Sequence, residues 1–105
     1  MLRKTARWAM MSLWAGAAMA PASAATVEIV IDKMAFQPSE VSVKVGDTVR
    51  WMNNDILAHT ATVNSSFNLV IASKKAGEIV AGNAGTFEYF CKFHPNMKGR
   101  IIVAP

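Results

Sequence analysis

The chain has 105 residues, with 11 Lys and Arg against 7 Asp and Glu, which gives a formal net charge of +4. Three of these basic residues lie in the first seven positions, where there is no acidic residue, so without residues 1–24 the charge falls to +1 (8 basic against 7 acidic residues). The remaining basic residues are scattered, and their only adjacent pair is Lys74-Lys75. This excludes the basic stripe of a nucleic-acid-binding protein.

The first 24 residues have the pattern of a secretory signal peptide. Residues 1–7 are basic, an apolar run extends from Trp8 to Ala20, and Ala22-Ser23-Ala24 forms a small-x-small cleavage site. The apolar run is shorter than the roughly 20 residues that span a bilayer, which argues against a transmembrane anchor. We therefore expect export to the periplasm, with cleavage after Ala24, or alternatively after Ala20, and no membrane insertion of the mature chain.

Residues 25–105 are enough for one small domain with a single hydrophobic core. This part of the chain holds the only cysteine of the sequence, Cys91, which therefore has no partner for an internal disulfide. In an exported protein such a thiol is open to oxidation unless something occupies it. A bond to a metal ion is the simplest occupant.

Alternating apolar and polar residues indicate β-strands along the whole of residues 25–105. Residues 33–38 read as irregular, and the segment from Phe67 to Ala72 is ambiguous between a strand and a short helical piece. Short strands separated by turn signals predict an all-β sandwich rather than alternating strands and helices. The predicted strands are Thr26–Asp32, Val41–Val45, Thr48–Asn53, His59–Val63, Glu78–Ala81, Thr86–Cys91 and Arg100–Val103.

Potential metal-binding side chains are concentrated near the C-terminus. Cys91, His94 and Met97 follow the spacing Cys-x2-His-x2-Met, and the second histidine, His59, begins a predicted strand upstream. Thiolate, imidazole and thioether ligands suit copper, because sulfur stabilises Cu(I) and imidazole serves both oxidation states. One thiolate and two imidazoles in a near-trigonal plane, with Met97 as a long axial contact, would form a blue-copper site.

Neighbouring residues favour a loop that brings these side chains together. Cys91 ends a predicted strand, Pro95 stiffens the loop by fixing its φ, and Gly99 allows the chain to turn into the last strand. We also expect Thr60 and Asn53 to form hydrogen bonds that orient His59 and reach the thiolate region.

The residues alone leave three kinds of protein open. The first is a one-electron carrier with copper, and the second is a copper-handling protein or a closed zinc site built from Cys91, His59 and His94. The third is an enzyme with a cysteine–histidine nucleophilic pair. The enzyme hypothesis is the weakest, because it leaves the spacing of Met97 unexplained and the sequence has no obvious oxyanion-hole segment.

The sequence of the mature portion resembles the small cupredoxins, most closely the amicyanin and pseudoazurin groups and less closely the plastocyanins. The segment from Phe67 to Gly82 departs from their pattern, being shorter and less regular, which leaves the strand register there open. The ending from Cys91 to Gly99 matches the short ligand loop of the amicyanins in length. The other motifs that carry the resemblance are Phe36-x-Pro38, Val43-x-Val45-Gly46-Asp47-x-Val49-x-Trp51-x-Asn53, Asp55-x3-His59-Thr60 and Ala84-Gly85-Thr86-Phe87-x-Tyr89-x-Cys91.

This resemblance implies a Greek-key β-sandwich over residues 25–105 with one type 1 copper ion. By the same resemblance, the copper ligands are His59, Cys91, His94 and Met97. The implied function is one-electron transfer in the periplasm by a monomeric protein that is not an enzyme. Its partners would be redox proteins of the dehydrogenase or cytochrome type, bound by transient docking.

A docking patch is expected where the copper site comes closest to the surface. His94 lies in a loop and should approach solvent, whereas His59 begins a strand and should be enclosed. Apolar residues around His94 would form a small, weakly charged patch of the kind used in transient redox encounters; alternatively, Ile56 and Leu57 simply cap the sandwich. The candidate patch residues are Phe93, Pro95, Leu57, Ile56 and Met34.

Overall fold

The computed structural model describes residues 23–105, and this part of the chain consists of nine strands and their connections, with no helix. Accordingly, none of the described residues belongs to a helix that could cross a membrane. The predicted signal peptide falls almost entirely outside the described residues and stays a prediction. The strands are β1 (Thr26–Asp32), β2 (Ala35–Gln37), β3 (Glu40–Lys44), β4 (Thr48–Asn53), β5 (His59–Val63), β6 (Phe67–Ile71), β7 (Ala76–Val80), β8 (Gly85–Phe90) and β9 (Lys98–Ala104).

The strands form two sheets that pack face to face. One sheet has the order β2-β1-β4-β7 and the other the order β3-β9-β8-β5-β6. Strand β1 is parallel to β4 and β3 is parallel to β9, while the other pairs are antiparallel. The predicted all-β Greek-key sandwich is confirmed.

The core lies between the sheets and follows from the alternation of side chains along each strand. In β4, Val49, Trp51 and Asn53 are buried while the residues between them are partly exposed, because successive side chains of a strand point to opposite faces. The Trp51 indole packs edge-on against the ring of Tyr89 at 5.5 Å between ring centroids. Its Nε1–H donates a hydrogen bond of 3.3 Å to the Tyr89 hydroxyl. This contact ties the two sheets together directly below the ligand residues.

Two segments are more regular than the sequence suggests. The piece predicted to be irregular contains β2, which forms an antiparallel hairpin with β1 through the turn residues Lys33 and Met34, whose φ values are 52° and 64°. Two positive φ values are the mark of the tight turns that suit the twist of a hairpin. The ambiguous segment forms β6, which pairs with β5 along its full length.

Gly99 has a different role from the one expected. It lies within β9, opposite Tyr89 of β8, and it is buried. A Cβ atom at this position would overlap the ring of Tyr89. The prediction that Gly99 serves to turn the chain was wrong, because the aromatic ring occupies the space that any side chain would need.

Four connections gather at one end of the sandwich. They are residues 33–34, 54–58, 72–75 and 91–97. Backbone hydrogen bonds join two of them to neighbouring strands: the Asn54 N–H donates to Ile31 C=O in β1, and the Asn53 N–H in β4 donates to Lys75 C=O. The fourth is held by the Lys92 N–H, which donates to the Thr60 hydroxyl at the start of β5. We refer to these four connections as the end loops, and the candidate site lies beneath them.

Candidate metal centre

Two of the predicted ligands are held by neighbouring strands of the same sheet. His59 is the first residue of β5, and Cys91 directly follows β8, which pairs with β5. Both side chains are completely buried. The Cys91 Sγ and His59 Nδ1 atoms lie 3.8 Å apart. The sheet therefore holds a thiol and an imidazole nitrogen next to each other.

The third predicted ligand comes from the loop that follows Cys91. His94 Nδ1 lies 3.7 Å from Cys91 Sγ, and the rings of His94 and His59 are 5.0 Å apart between centroids. The ligand atoms of the three residues all lie within 4.8 Å of one another. His94 is only half-buried, whereas His59 is fully enclosed, as the sequence suggested.

Backbone hydrogen bonds fold the ligand loop back on itself. The His94 N–H donates to Cys91 C=O at 3.2 Å, and the Met97 N–H donates to His94 C=O at 2.8 Å. The Cys91 N–H donates to Met97 C=O at 3.1 Å, which closes the loop. Met97 is buried and lines an open groove together with His94 and the exposed Met34. The fourth predicted ligand thus belongs to the same closed loop as two of the others.

The spacing of the donor atoms fits a single metal ion. An ion bonded at about 2.3 Å to sulfur and about 2.05 Å to imidazole nitrogen, with bonds about 120° apart, would separate the two donors by about 3.8 Å. The observed separations of Cys91 Sγ from the two Nδ1 atoms are 3.8 Å and 3.7 Å. The chemistry of the donors, one thiol and two imidazoles, suits copper or zinc.

Thr60 supports the sulfur from the opposite strand. Its backbone N–H donates a hydrogen bond of 3.3 Å to Cys91 Sγ, and its hydroxyl accepts the bond from the Lys92 N–H at 2.8 Å. This N–H fixes the position of the sulfur relative to β5. The expected hydrogen bond to the thiolate region therefore exists, although the backbone of Thr60 supplies it and its side chain holds the ligand loop.

Asn53 contacts the backbone around the ligands and not, as expected, a ligand side chain. Its side-chain amide donates to the backbone carbonyls of Leu57, Ile71 and Ala72 at 2.9–3.3 Å, and its side-chain oxygen accepts from the Asp55 N–H at 2.9 Å. No hydrogen bond joins it to a ligand side chain among the described residues. Asn53 instead fixes the path of the loop that leads into His59.

Sequence reasoning missed the contribution of Asp55. Its Oδ2 atom lies 2.8 Å from His59 Nε2, and its two oxygens also accept hydrogen bonds from the Lys33 and Met34 N–H groups at 2.9 and 3.0 Å. A carboxylate on Nε2 places the ring proton there and leaves the Nδ1 lone pair for a metal. The spacing Asp55-x3-His59 was visible in the sequence, but no local pattern indicated that the loop would fold back on itself.

The environment of Asp55 favours its charged form. Burial tends to raise the pKa of this carboxyl, but the hydrogen bonds from His59 and from the Met34 and Lys33 N–H groups outweigh it and lower the pKa below its usual value. Asp55 is therefore a carboxylate at neutral pH and can hold both the ring of His59 and the β1–β2 turn.

Replacing Asp55 by Ala is expected to weaken copper binding by roughly 10- to 100-fold, because the ring of His59 loses the group that fixes its orientation. Asp55→Asn keeps an acceptor near Nε2 and should lose less. Glu78→Ala, an exposed carboxylate on β7, is the control for loss of charge. Affinity is measured by competition with a copper chelator, and an alanine variant that binds as tightly as the parent would exclude this role.

Comparison with known proteins agrees with this fold and site. A family model described as a cupredoxin-like domain matches residues 5–103. Amicyanin of Paracoccus versutus is 33% identical over 83% of this chain and 70% of its own length. Amicyanin-alpha of Methylorubrum extorquens is 34% identical over 88% of this chain and 85% of its own length.

Solved structures give the same result. The crystal structure of amicyanin from Paracoccus versutus superimposes with a TM-score of 0.66 and 34% sequence identity, covering 83% of this chain and 87% of the amicyanin chain. The family model, which extends over residues 5–103, includes both sheets and the ligand loop. The chain therefore belongs to the cupredoxin-like domain family.

Proposed function

We propose that this protein is a type 1 copper protein that carries single electrons between redox partners in the periplasm. The ligands would be Cys91 Sγ, the Nδ1 atoms of His59 and His94, and the Met97 thioether. The observation that carries this proposal is the convergence of one sulfur and two imidazole nitrogens within 4.8 Å on a hydrogen-bonded frame.

Copper bound here would supply the one-electron chemistry, and the chain would keep the ligand positions constant. A mixed sulfur and imidazole set is acceptable to both Cu(I) and Cu(II). His59 is held by Asp55, Cys91 by the Thr60 N–H, and the ligand loop by its own backbone hydrogen bonds. Ligands that move little when an electron arrives keep the reorganisation energy low, and a low reorganisation energy lowers the barrier to transfer.

Similar proteins support copper as the metal. Solved structures with this fold include the Cu(I) form of an amicyanin variant, which is 32% identical to this chain with a TM-score of 0.66. The ligand spacing also fits zinc, so a closed zinc site or a copper-handling role is the alternative. A zinc site gives Met97 no function, because structural zinc sites use sulfur from cysteine rather than from methionine. A copper-handling role would also use the thioether, and reversible redox cycling of the bound copper distinguishes electron transfer from it.

The burial of Cys91 argues against a nucleophilic enzyme. A catalytic thiol must be reached by its substrate, whereas the side chain of Cys91 has no solvent exposure. His59 is equally enclosed and already holds Asp55 through Nε2. A site of this kind can exchange an electron through its ligands but cannot admit a substrate to its sulfur.

His94 is the route by which an electron would reach the surface. It is half-buried in the end loops, which also carry exposed apolar side chains: Met34 is 39%, Ile56 81%, Leu57 49% and Phe93 55% exposed. We call these residues, together with Pro95, the apolar patch. It provides a small contact area for transient docking of a soluble redox protein to this protein, which we take to be a monomer.

Visible absorption of the copper-loaded protein tests the proposed function. The oxidised protein should be blue, with an intense thiolate-to-copper charge-transfer band that disappears on reduction and returns on oxidation. Zinc loading should give a colourless protein. A colourless Cu(II) form, or a blue form that cannot be cycled, would contradict a role in electron transfer.

Placing a charge in the apolar patch should slow electron exchange. Leu57→Glu is expected to reduce electron self-exchange between oxidised and reduced copies roughly tenfold, because a carboxylate between two apolar patches must lose its water when the patches meet. Removing the exposed ring with His94→Gly should slow exchange as well. Line broadening in proton NMR spectra of mixed oxidation states measures the rate.

The matched control for this experiment is Val80→Glu, since Val80 is 65% exposed and lies at the end of β7 that is remote from the end loops. It should leave self-exchange within about twofold of the parent. Equal self-exchange rates in Leu57→Glu and the parent protein would show that the apolar patch takes no part in electron exchange.

A further inference from the structure

Building on the proposed function, we propose that the docking face selects partners whose own docking face carries carboxylates around an apolar centre. The inference comes from the charges of the end loops, which differ from those of the rest of the described domain. It specifies the chemistry of the partner rather than its identity.

Four lysines lie in the end loops, all of them exposed: Lys33, Lys74, Lys75 and Lys92. Asp55 is the one carboxylate in these loops, and it is occupied by His59 and by the backbone N–H groups of two turn residues. Asp32, the last residue of β1, is a further carboxylate next to these loops. The end of the domain that carries His94 thus has four lysines against two carboxylates, although residues 25–105 together carry only +1 (8 basic against 7 acidic residues).

The arginines of the domain are neutralised, whereas these lysines are not. Arg50 lies 3.9 Å from Glu28, and Arg100 contacts Glu40 at 3.4 Å and Glu88 at 2.7 Å. Within residues 23–105, no carboxylate oxygen lies within 4.0 Å of a lysine of the end loops. Lys74 Nζ instead donates to the Asn54 carbonyl, which holds the ammonium over the loop and leaves its charge uncompensated.

Two of the lysines are direct sequence neighbours of residues of the apolar patch. Lys33 precedes Met34 in the β1–β2 turn, and Lys92 precedes Phe93 in the ligand loop. An apolar centre with a charged rim is the usual anatomy of a protein interface. We call Lys33, Lys74, Lys75 and Lys92 the basic rim.

A basic rim would act mainly on the rate of encounter. Complementary charges raise association rates by steering, and like charges exclude the wrong partner. At physiological ionic strength the Debye length is about 8 Å, so the effect extends to charges that meet across the interface and little further. A carboxylate-rimmed redox protein fits this face, and a lysine-rimmed one is rejected by it.

Small inorganic oxidants measure the charge that an approaching partner meets. The reduced copper protein is oxidised by hexacyanoferrate(III), an anion, or by tris(phenanthroline)cobalt(III), a cation, at low and high ionic strength in a stopped-flow instrument. The rate with the anion should fall as salt is added and the rate with the cation should rise. The opposite pair of trends would overturn the proposal.

Charge-reversal variants connect these trends to the basic rim. Lys33→Glu combined with Lys92→Glu should slow oxidation by hexacyanoferrate(III) roughly tenfold at low salt and accelerate oxidation by the cobalt complex. Lys92→Glu alone and Lys44→Glu, at the far end of β3, change the net charge equally and form the matched pair. Lys44→Glu should change either rate by less than about twofold. Equal effects of Lys92→Glu and Lys44→Glu would overturn the proposal, because they would mean that the net charge of the protein and not the basic rim sets the oxidation rates.

A protein probe tests the inference at an interface, without relying on electron transfer. The acidic haem domain of cytochrome b5 is titrated into the metal-free protein, and the amide resonances of this protein are followed by NMR. We expect shifts confined to the end loops. These shifts should vanish in the variant that combines Lys33→Glu with Lys92→Glu. No shifts, shifts elsewhere, or binding only to phosphatidylglycerol vesicles would overturn it. Failure of the blue absorption would instead count against the proposed function, so the two outcomes are separable.

Discussion

Replacing Cys91 by Ser is expected to abolish the blue absorption of the copper-loaded protein completely, because the charge-transfer band requires a sulfur donor. The hydroxyl of serine is a poor ligand for Cu(I), so the affinity for copper in the reduced state should also fall steeply. Absorption and EPR spectra of the oxidised protein measure the first effect, and competition with a Cu(I) chelator measures the second.

The fold should survive this change, which makes the experiment interpretable. Cys91 is buried and free of any disulfide, and serine is close to it in size. Unfolding of the metal-free variant in urea is the control for its stability. Met97→Leu is a useful comparison, because loss of the weak axial donor should shift the spectrum and leave it blue. A Cys91→Ser variant that remained blue would contradict the assignment of the sulfur ligand.

Replacing Gly99 by Ala is expected to destabilise the metal-free protein by about 3 kcal/mol, near the upper end of the usual range for overpacked cores. The new methyl group would overlap the ring of Tyr89. That ring cannot easily move away, because it packs edge-on against Phe36 and Trp51 and its hydroxyl accepts a hydrogen bond from Trp51. Urea unfolding followed by tryptophan fluorescence measures the loss.

Gly82→Ala provides a matched control for this prediction. An added Cβ at Gly82 would meet no atom within 4 Å, and its φ does not lie in the left-handed region. Its stability should stay within about 0.5 kcal/mol of the parent, as for most surface substitutions. If Gly99→Ala were equally mild, the packing of Tyr89 over β9 would not constrain this position.

Much of this fold was predictable because its strands bury one face and expose the other. The limits of β1, β4 and β5 agree with the alternation of apolar and polar residues in the sequence. The location of Cys91 at the end of β8 could be predicted in the same way. The spacing of Cys91, His94 and Met97 indicated a ligand loop, because those residue types have few other reasons to occur together.

Features that depend on contacts between distant residues were not predictable. The turn at Lys33 and Met34 contains no glycine or asparagine, so the sequence does not indicate its positive φ values. Asp55 reaches His59 and this turn only because the loop folds back, held by Asn53. The space that Gly99 leaves for Tyr89 depends on the pairing of β8 with β9, which no local pattern reveals.

X-ray absorption at the copper edge of the loaded protein reports the atoms bonded to the metal, and it is therefore the decisive test of the proposed copper site. We predict one short copper–sulfur bond and two copper–nitrogen bonds, with the sulfur bond lost in Cys91→Ser and one nitrogen bond lost in His59→Ala. A coordination shell made of nitrogen and oxygen atoms alone would contradict the account.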